Sequence, residues 1–95
     1  ADFSRAIELN PRSPGVYAKR GSAYGRLKKY GLAIADFSRA IELNPGSAVD
    51  YYNRSMIYKE KGEPRKALAD AVKAQAMGFS VPPKYLSEFE GAALR

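Results

Sequence analysis

Apolar and small residues recur along this chain every three or four positions, and no stretch alternates in the manner of a strand. Tyr17, Gly21, Tyr24 and Lys28 fall on one such stripe, and Phe37, Ala40, Ile41 and Asn44 on another. That spacing gives each segment a single packing face on a helix. End signals divide the pattern. Ser13 before Pro14 fits a helix cap with proline at the first helical position. Ser47 with Asp50 three residues later resembles a capping box, with Asp in place of Glu or Gln. Gly62 and Pro64 separate two further helical stretches. The pattern predicts helices near 2–10, 14–28, 31–44, 48–61, 64–77 and 83–94, an all-α chain.

The pattern also repeats. Residues 1–11 read ADFSRAIELNP, and residues 35–45 repeat them letter for letter, thirty-four positions later. The same shift places Tyr17 on Tyr51, Arg20 on Arg54, Tyr24 on Tyr58 and Ala33 on Ala67. A weaker third copy appears at Ala69, Asp70 and Ala74. Small residues recur where two helices would approach closely, at Gly21 and Ser55 and at Ala6, Ala40 and Ala74. A period of 34 residues belongs to units of two antiparallel helices stacked side by side.

These residues resemble the tetratricopeptide repeat. Its first helix carries an aromatic, a small residue and a second aromatic; its second carries alanine, an aromatic and alanine, and a proline closes the unit. The middle repeat supplies Tyr17, Gly21, Tyr24, Ala33, Phe37, Ala40 and Pro45. The next supplies Tyr51, Ser55, Tyr58, Ala67, Ala71 and Ala74, departing from the pattern at Ala71 and Phe79. The resemblance implies an α–α superhelix in one domain. Residues 1–13 would be the second helix of a truncated repeat, 14–47 and 48–81 full repeats, and 82–95 a capping helix with Leu86, Phe89 and Ala93 on its inner face. The opening inside a repeat predicts a fragment of a longer protein, in which Phe3, Ile7 and Leu9 would pack on a preceding helix.

Composition removes most chemistry. The 95 residues contain no His and no Cys, so the commonest general base, the thiolate nucleophile and most transition-metal ligands are missing. Serines lack a base partner, no glycine-rich phosphate loop precedes a helix, and the ten carboxylates do not converge. Neither enzyme activity nor a cofactor is expected. The cytoplasm is the default compartment, and no membrane span is expected.

Arg20 and Arg54 sit on the inward stripe, where a guanidinium is costly unless paired. A hairpin turning near residues 28–31 brings Arg20 towards Asp36, and its copy brings Arg54 towards Asp70. Both are expected to be structural ion pairs rather than ligand contacts; Asp2 holds the same position without an arginine. The resemblance further implies that each first helix lines a concave groove. Lys19, Ser22 and Arg26 would come from one repeat, and Val49, Tyr52, Asn53, Met56, Lys59 and Glu60 from the next. Asn53 can bond a peptide backbone, Tyr52 and Met56 offer apolar contact, and the cations suit an acidic group. Relatives that clamp acidic chaperone tails place Lys and Asn where this chain has Ala18 and Ser22, which argues against that specialised use.

The net charge of +6 is uneven. Arg26, Lys28, Lys29, Lys59, Lys61, Arg65 and Lys66 gather near the turns within the repeats, opposed by Glu60 and Glu63. Such cations complement helix C-termini and could also meet an acidic partner. The expectation is a non-enzymatic scaffold that binds a peptide segment of a partner protein. The alternative is a structural segment that self-associates through its first helix. Nucleic-acid binding at the basic edge ranks lower, because no aromatics interleave with the cations for base stacking.

Overall fold

The computed structural model describes residues 2–89. Six helices follow one another: α1 (Phe3–Leu9), α2 (Pro14–Arg26), α3 (Tyr30–Leu43), α4 (Ala48–Lys61), α5 (Pro64–Ala76) and α6 (Pro83–Ser87). No strand occurs among the described residues. α2 pairs with α3 and α4 with α5 as antiparallel hairpins, and α3 packs on α4 to join the two. α1 lies against α2 as a single helix. The result is elongated, 44 × 27 × 17 Å, as a row of stacked hairpins must be.

The helix starts differ in part from the sequence pattern. Ser13 and Ser47 hold the extended backbone of a cap, but neither hydroxyl bonds a helix amide. Nor does the box at Ser47 form: its amide donates to the Asn44 carbonyl at 3.2 Å, and Asp50, buried in the first turn of α4, meets the Ser47 side chain instead. Asp2 does cap α1, accepting from the Arg5 amide at 2.9 Å. The last helix is also shorter than 83–94. α6 ends at Ser87, and positions 90–95, with Ala93, lie outside the described residues.

Both hairpins close through one backbone motif. The Glu63 amide donates to the Tyr58 carbonyl at 2.9 Å, and thirty-four residues earlier the Lys29 amide donates to the Tyr24 carbonyl at 2.9 Å. Each closure needs a residue in the left-handed region. Gly62 takes it at φ 89°, and Lys28 takes it at φ 61°. Glycine adopts that backbone freely, whereas a side chain there costs about 1–2 kcal/mol.

The core is built largely from small residues, with two fully buried rings, Phe37 and Phe89. Ala33, Phe37, Ala40 and Ile41 are buried on α3, and Ala67, Ala71 and Ala74 on α5. Gly21 permits the first hairpin to close, since a Cβ there would meet the Phe37 ring at 3.2 Å. At the other end Ala71, Ala74 and Val81 form a cluster with Tyr51, Tyr52, Phe79, Tyr85 and Leu86. The two departures from the repeat pattern thus occur in one place: Ala71 leaves room, and Phe79 is among the side chains packed there. α1 buries none of its residues fully, and Leu9 is 74% exposed.

Candidate functional site

Arg20 and Arg54 fix how the first helices stand, and so where any groove can be. Arg20 projects from α2 and gives Asp36 on α3 two parallel hydrogen bonds, Nε to Oδ2 at 2.7 Å and Nη2 to Oδ1 at 2.8 Å. Arg54 does the same to Asp70 on α5, again at 2.7 and 2.8 Å. Both carboxylates are buried, Asp36 at 4% exposure and Asp70 at 7%. Such fork-to-fork contacts are the strong form of ion pair. The carboxylate beside each guanidinium raises the arginine pKa further, so both stay charged.

The third nitrogen of each arginine was not legible as a contact. Arg20 Nη1 donates to Ser4 Oγ of α1 at 3.3 Å, and Arg54 Nη1 to Ser38 Oγ of α3 at 3.1 Å. Arg20 therefore ties α3 to α1, and Arg54 ties α5 to α3. Tyrosines flank it on its own helix: Tyr17 and Tyr24 at 6.0 and 5.7 Å from Arg20, Tyr51 and Tyr58 at 5.5 and 5.8 Å from Arg54. The available signal was numerical, because serine and aspartate stand sixteen residues either side of the arginine in both copies. The next rung would need Ser at 72 and Arg at 88, and the chain has Val72 and Glu88 there.

Between α2 and α4 lies an open pocket of about 220 Å³, lined by Ser22, Gly25, Arg26, Phe37, Asn53, Met56 and Ile57. Its floor is apolar and its walls carry a hydroxyl, an amide and a guanidinium. Gly25 sets its depth, since a Cβ there would stand 2.7 Å from Ile57 Cδ1. A larger hollow of about 290 Å³ is lined, among the described residues, by Glu63, Pro64, Arg65 and Lys66.

Of the nine residues assigned to a groove from the sequence, Ser22, Arg26, Asn53 and Met56 line this pocket. Lys19, Val49 and Glu60 are exposed on α2 and α4 without lining it. Tyr52 and Lys59 turn instead towards the C-terminal segment. Tyr52 packs on Phe79 and Tyr85 with ring centres 4.9 and 5.2 Å apart. Lys59 pairs with Glu88 and lies 5.2 Å from the Tyr85 ring. Sequence reasoning missed that segment's anchor, Ser55. Its buried hydroxyl donates to the Ala67 carbonyl at 2.6 Å and accepts from the Tyr85 hydroxyl at 2.9 Å. Only its departure from Gly21, one period earlier, hinted at a separate role.

The basic turns differ in kind. On the α4–α5 turn, Glu63 pairs with Lys61 at 3.1 Å and Lys66 at 3.3 Å, which hold its carboxyl below the usual range. On the α2–α3 turn, Arg26, Lys28 and Lys29 are exposed and meet no acid among the described residues. No group of three or more His, Cys, Asp or Glu capable of holding a metal ion occurs among the described residues. No helix among them is long and apolar enough to cross a membrane.

Two family models, both described as tetratricopeptide repeat, match residues 14–47 and 37–69. No curated protein matches the chain. Among solved structures it is similar to the first TPR of Spaghetti (RPAP3) bound to the HSP90 peptide SRMEEVD. The TM-score is 0.90 at 22% identity, covering 98% of this chain and 75% of that one. It is also similar to the Arabidopsis OM64 TPR domain, with TM-score 0.88 at 20% identity over 94% of this chain and 75% of that one. A third is YrrB, a TPR protein with an unusual peptide-binding site, with TM-score 0.81 and 24% identity. There the match covers 99% of this chain and 47% of the other, so the chain spans less than half of YrrB. At these identities the likeness is one of fold.

Proposed function

The chain belongs to the tetratricopeptide-repeat family, and from that premise we propose that it is a non-enzymatic interaction scaffold that holds a peptide segment of a partner protein between α2 and α4. The observation that carries this reading is the open pocket with an apolar floor and three different polar walls. An apolar side chain of the peptide would sit over Phe37 and Ile57. Asn53 can donate to and accept from the peptide backbone, and Arg26 can take a carboxylate. On this reading residues 14–47 and 48–81 are the working repeats, and the segment from 82 onward closes the stack. Two of the similar structures point the same way by what they hold: one carries an HSP90 peptide and another has a peptide-binding site.

The test is a peptide-array screen followed by an NMR titration of the best binder. Amide shifts at Ser22, Arg26, Asn53 and Met56 are expected, and Asn53→Ala with Met56→Ala should weaken binding about tenfold or more. Shifts confined to other helices, or an unchanged affinity in the double variant, would sink the proposal.

A second reading, self-association through α1, draws on the exposed Leu9 and the half-buried Phe3 and Ile7. It requires a sedimentation coefficient that rises with concentration. A strictly monomeric chain at high concentration removes it.

A further inference from the structure

The two intra-repeat turns share a backbone, which makes their side chains a controlled comparison. One period separates Arg26 from Glu60, Leu27 from Lys61, Lys28 from Gly62, Lys29 from Glu63 and Leu32 from Lys66. The second turn looks as a solvated turn should. Glycine takes the left-handed position, and Glu63 neutralises two lysines. The first turn departs at every one of these points. A lysine occupies the strained position, a second lysine replaces the neutralising glutamate, and two leucines take the place of lysines. Those leucines are open to solvent, Leu27 at 65% and Leu32 at 50%.

From this contrast we infer that the α2–α3 turn is a docking surface for an acidic segment of a partner protein that also carries apolar side chains. Solubility alone explains neither the exposed leucines nor the strained lysine, since the second turn achieves it without them. Three uncompensated cations beside two exposed leucines complement a segment in which carboxylates flank apolar residues. A second copy of the chain is disfavoured as occupant, because each copy carries a net charge of +6. A nucleic-acid backbone would leave both leucines without a counterpart. A membrane surface is also a poorer fit, since lipid-reading clusters typically gather about four to eight cations. The surface is separate from the α2–α4 pocket except at Arg26, which borders both.

The experiment uses the full chain and a short fluorescein-labelled peptide rich in Glu and Leu, read by anisotropy, with a control peptide carrying Gln for every Glu. The acidic peptide is expected to bind the native chain, to weaken as salt is raised, and to bind better than its control. Lys28→Glu with Lys29→Glu should lose about tenfold or more in affinity. Leu27→Ser should weaken binding less, and Lys61→Glu with Lys66→Glu should leave it unchanged. Asn53→Ala in the pocket should also leave it unchanged, so failure here is distinguishable from failure of the groove reading. Thermal melts verify that each variant remains folded. Equal losses from charge reversal at the two turns would mean that net charge alone is read, and would overturn the proposal. So would no loss at Lys28 and Lys29. Capture by phosphatidylserine vesicles or single-stranded RNA in preference to the peptide would overturn it too.

Discussion

Arg54 and Asp70 face each other through two parallel hydrogen bonds of 2.7 and 2.8 Å, with the carboxylate almost wholly removed from water. Removing the arginine leaves that carboxylate buried and uncompensated. Arg54→Ala should therefore cost about 3 kcal/mol in urea unfolding, far more than an exposed pair would. Arg54→Met combined with Asp70→Leu should recover most of the loss, because replacing both partners removes the stranded charge. A double variant no more stable than the single one would contradict this account.

Lys28 and Gly62 occupy one backbone conformation at equivalent turns, and only one of them suits it. Lys28→Gly should stabilise the chain by about 1 kcal/mol, which for a domain of this size raises the melting temperature by roughly 4–8 °C. Gly62→Ala should lower it by a similar amount. Thermal denaturation followed by circular dichroism measures both.

Asp50 gives a pH signature. Burial pushes its carboxyl above the ordinary value, and the Ser47 hydrogen bond offsets part of that rise. The folded chain thus holds this proton more tightly than the unfolded chain. Its contribution is full below the ordinary carboxylate value and is lost as pH rises through the raised one. Asp50→Asn, which cannot ionise, should gain on the native chain as pH climbs from strongly acid to neutral. Melting temperatures measured across that range check it, and a difference that does not change with pH would refute it.

The Tyr85 hydroxyl donates to Ser55, whose own proton is committed to Ala67. Tyr85→Phe removes one hydrogen bond but leaves Ser55 a partner, so the cost should be about 1 kcal/mol. Ser55→Gly should cost more, since Ala67 and Tyr85 would both lose their partner. Amide exchange would place the effect of either change in α4, α5 and the segment after Phe79.

Chaperone-tail recognition by the groove residues can be measured directly. The peptide SRMEEVD, seen on a structure of the same fold, should bind this chain poorly. Ala18 and Ser22 offer neither the ammonium nor the amide that such a tail would need. Titration calorimetry reads this, and tight binding would reverse the expectation.

How much of this was legible in the chain varied with whether the residue followed the period. The helices and their stacking could be read because identical side chains recur thirty-four positions apart. The approach of Arg20 to Asp36 follows from the same periodicity, since a hairpin turn fixes which residues stand opposite. Ser4 and Ser38 escaped notice because a serine on a helix surface looks solvated until a neighbouring layer reaches it. Tyr52 and Lys59 were assigned to the groove because the first helix of a repeat lines it. The segment after Phe79 does not follow the repeat, and no periodicity tells which way Phe79, Tyr85 and Glu88 will face. The Ser13 cap failed for another reason: Pro14 and the extended backbone of Ser13 suffice to start the helix.

The rung that runs from serine through arginine to aspartate also gives the array a direction. Each arginine points back to the preceding layer and forward to its own, so a layer is recognised by the one that follows it. Asp2 stands where Asp36 and Asp70 receive an arginine, while Val72 and Glu88 stand where the next serine and arginine would be. The interlock works as a keyed joint, open to extension at one face and blanked at the other. Duplicating residues 14–47 inside such a gene would insert a layer that locks on both sides. The same unit appended beyond Asp70 would meet a serine-less surface and dock without its key.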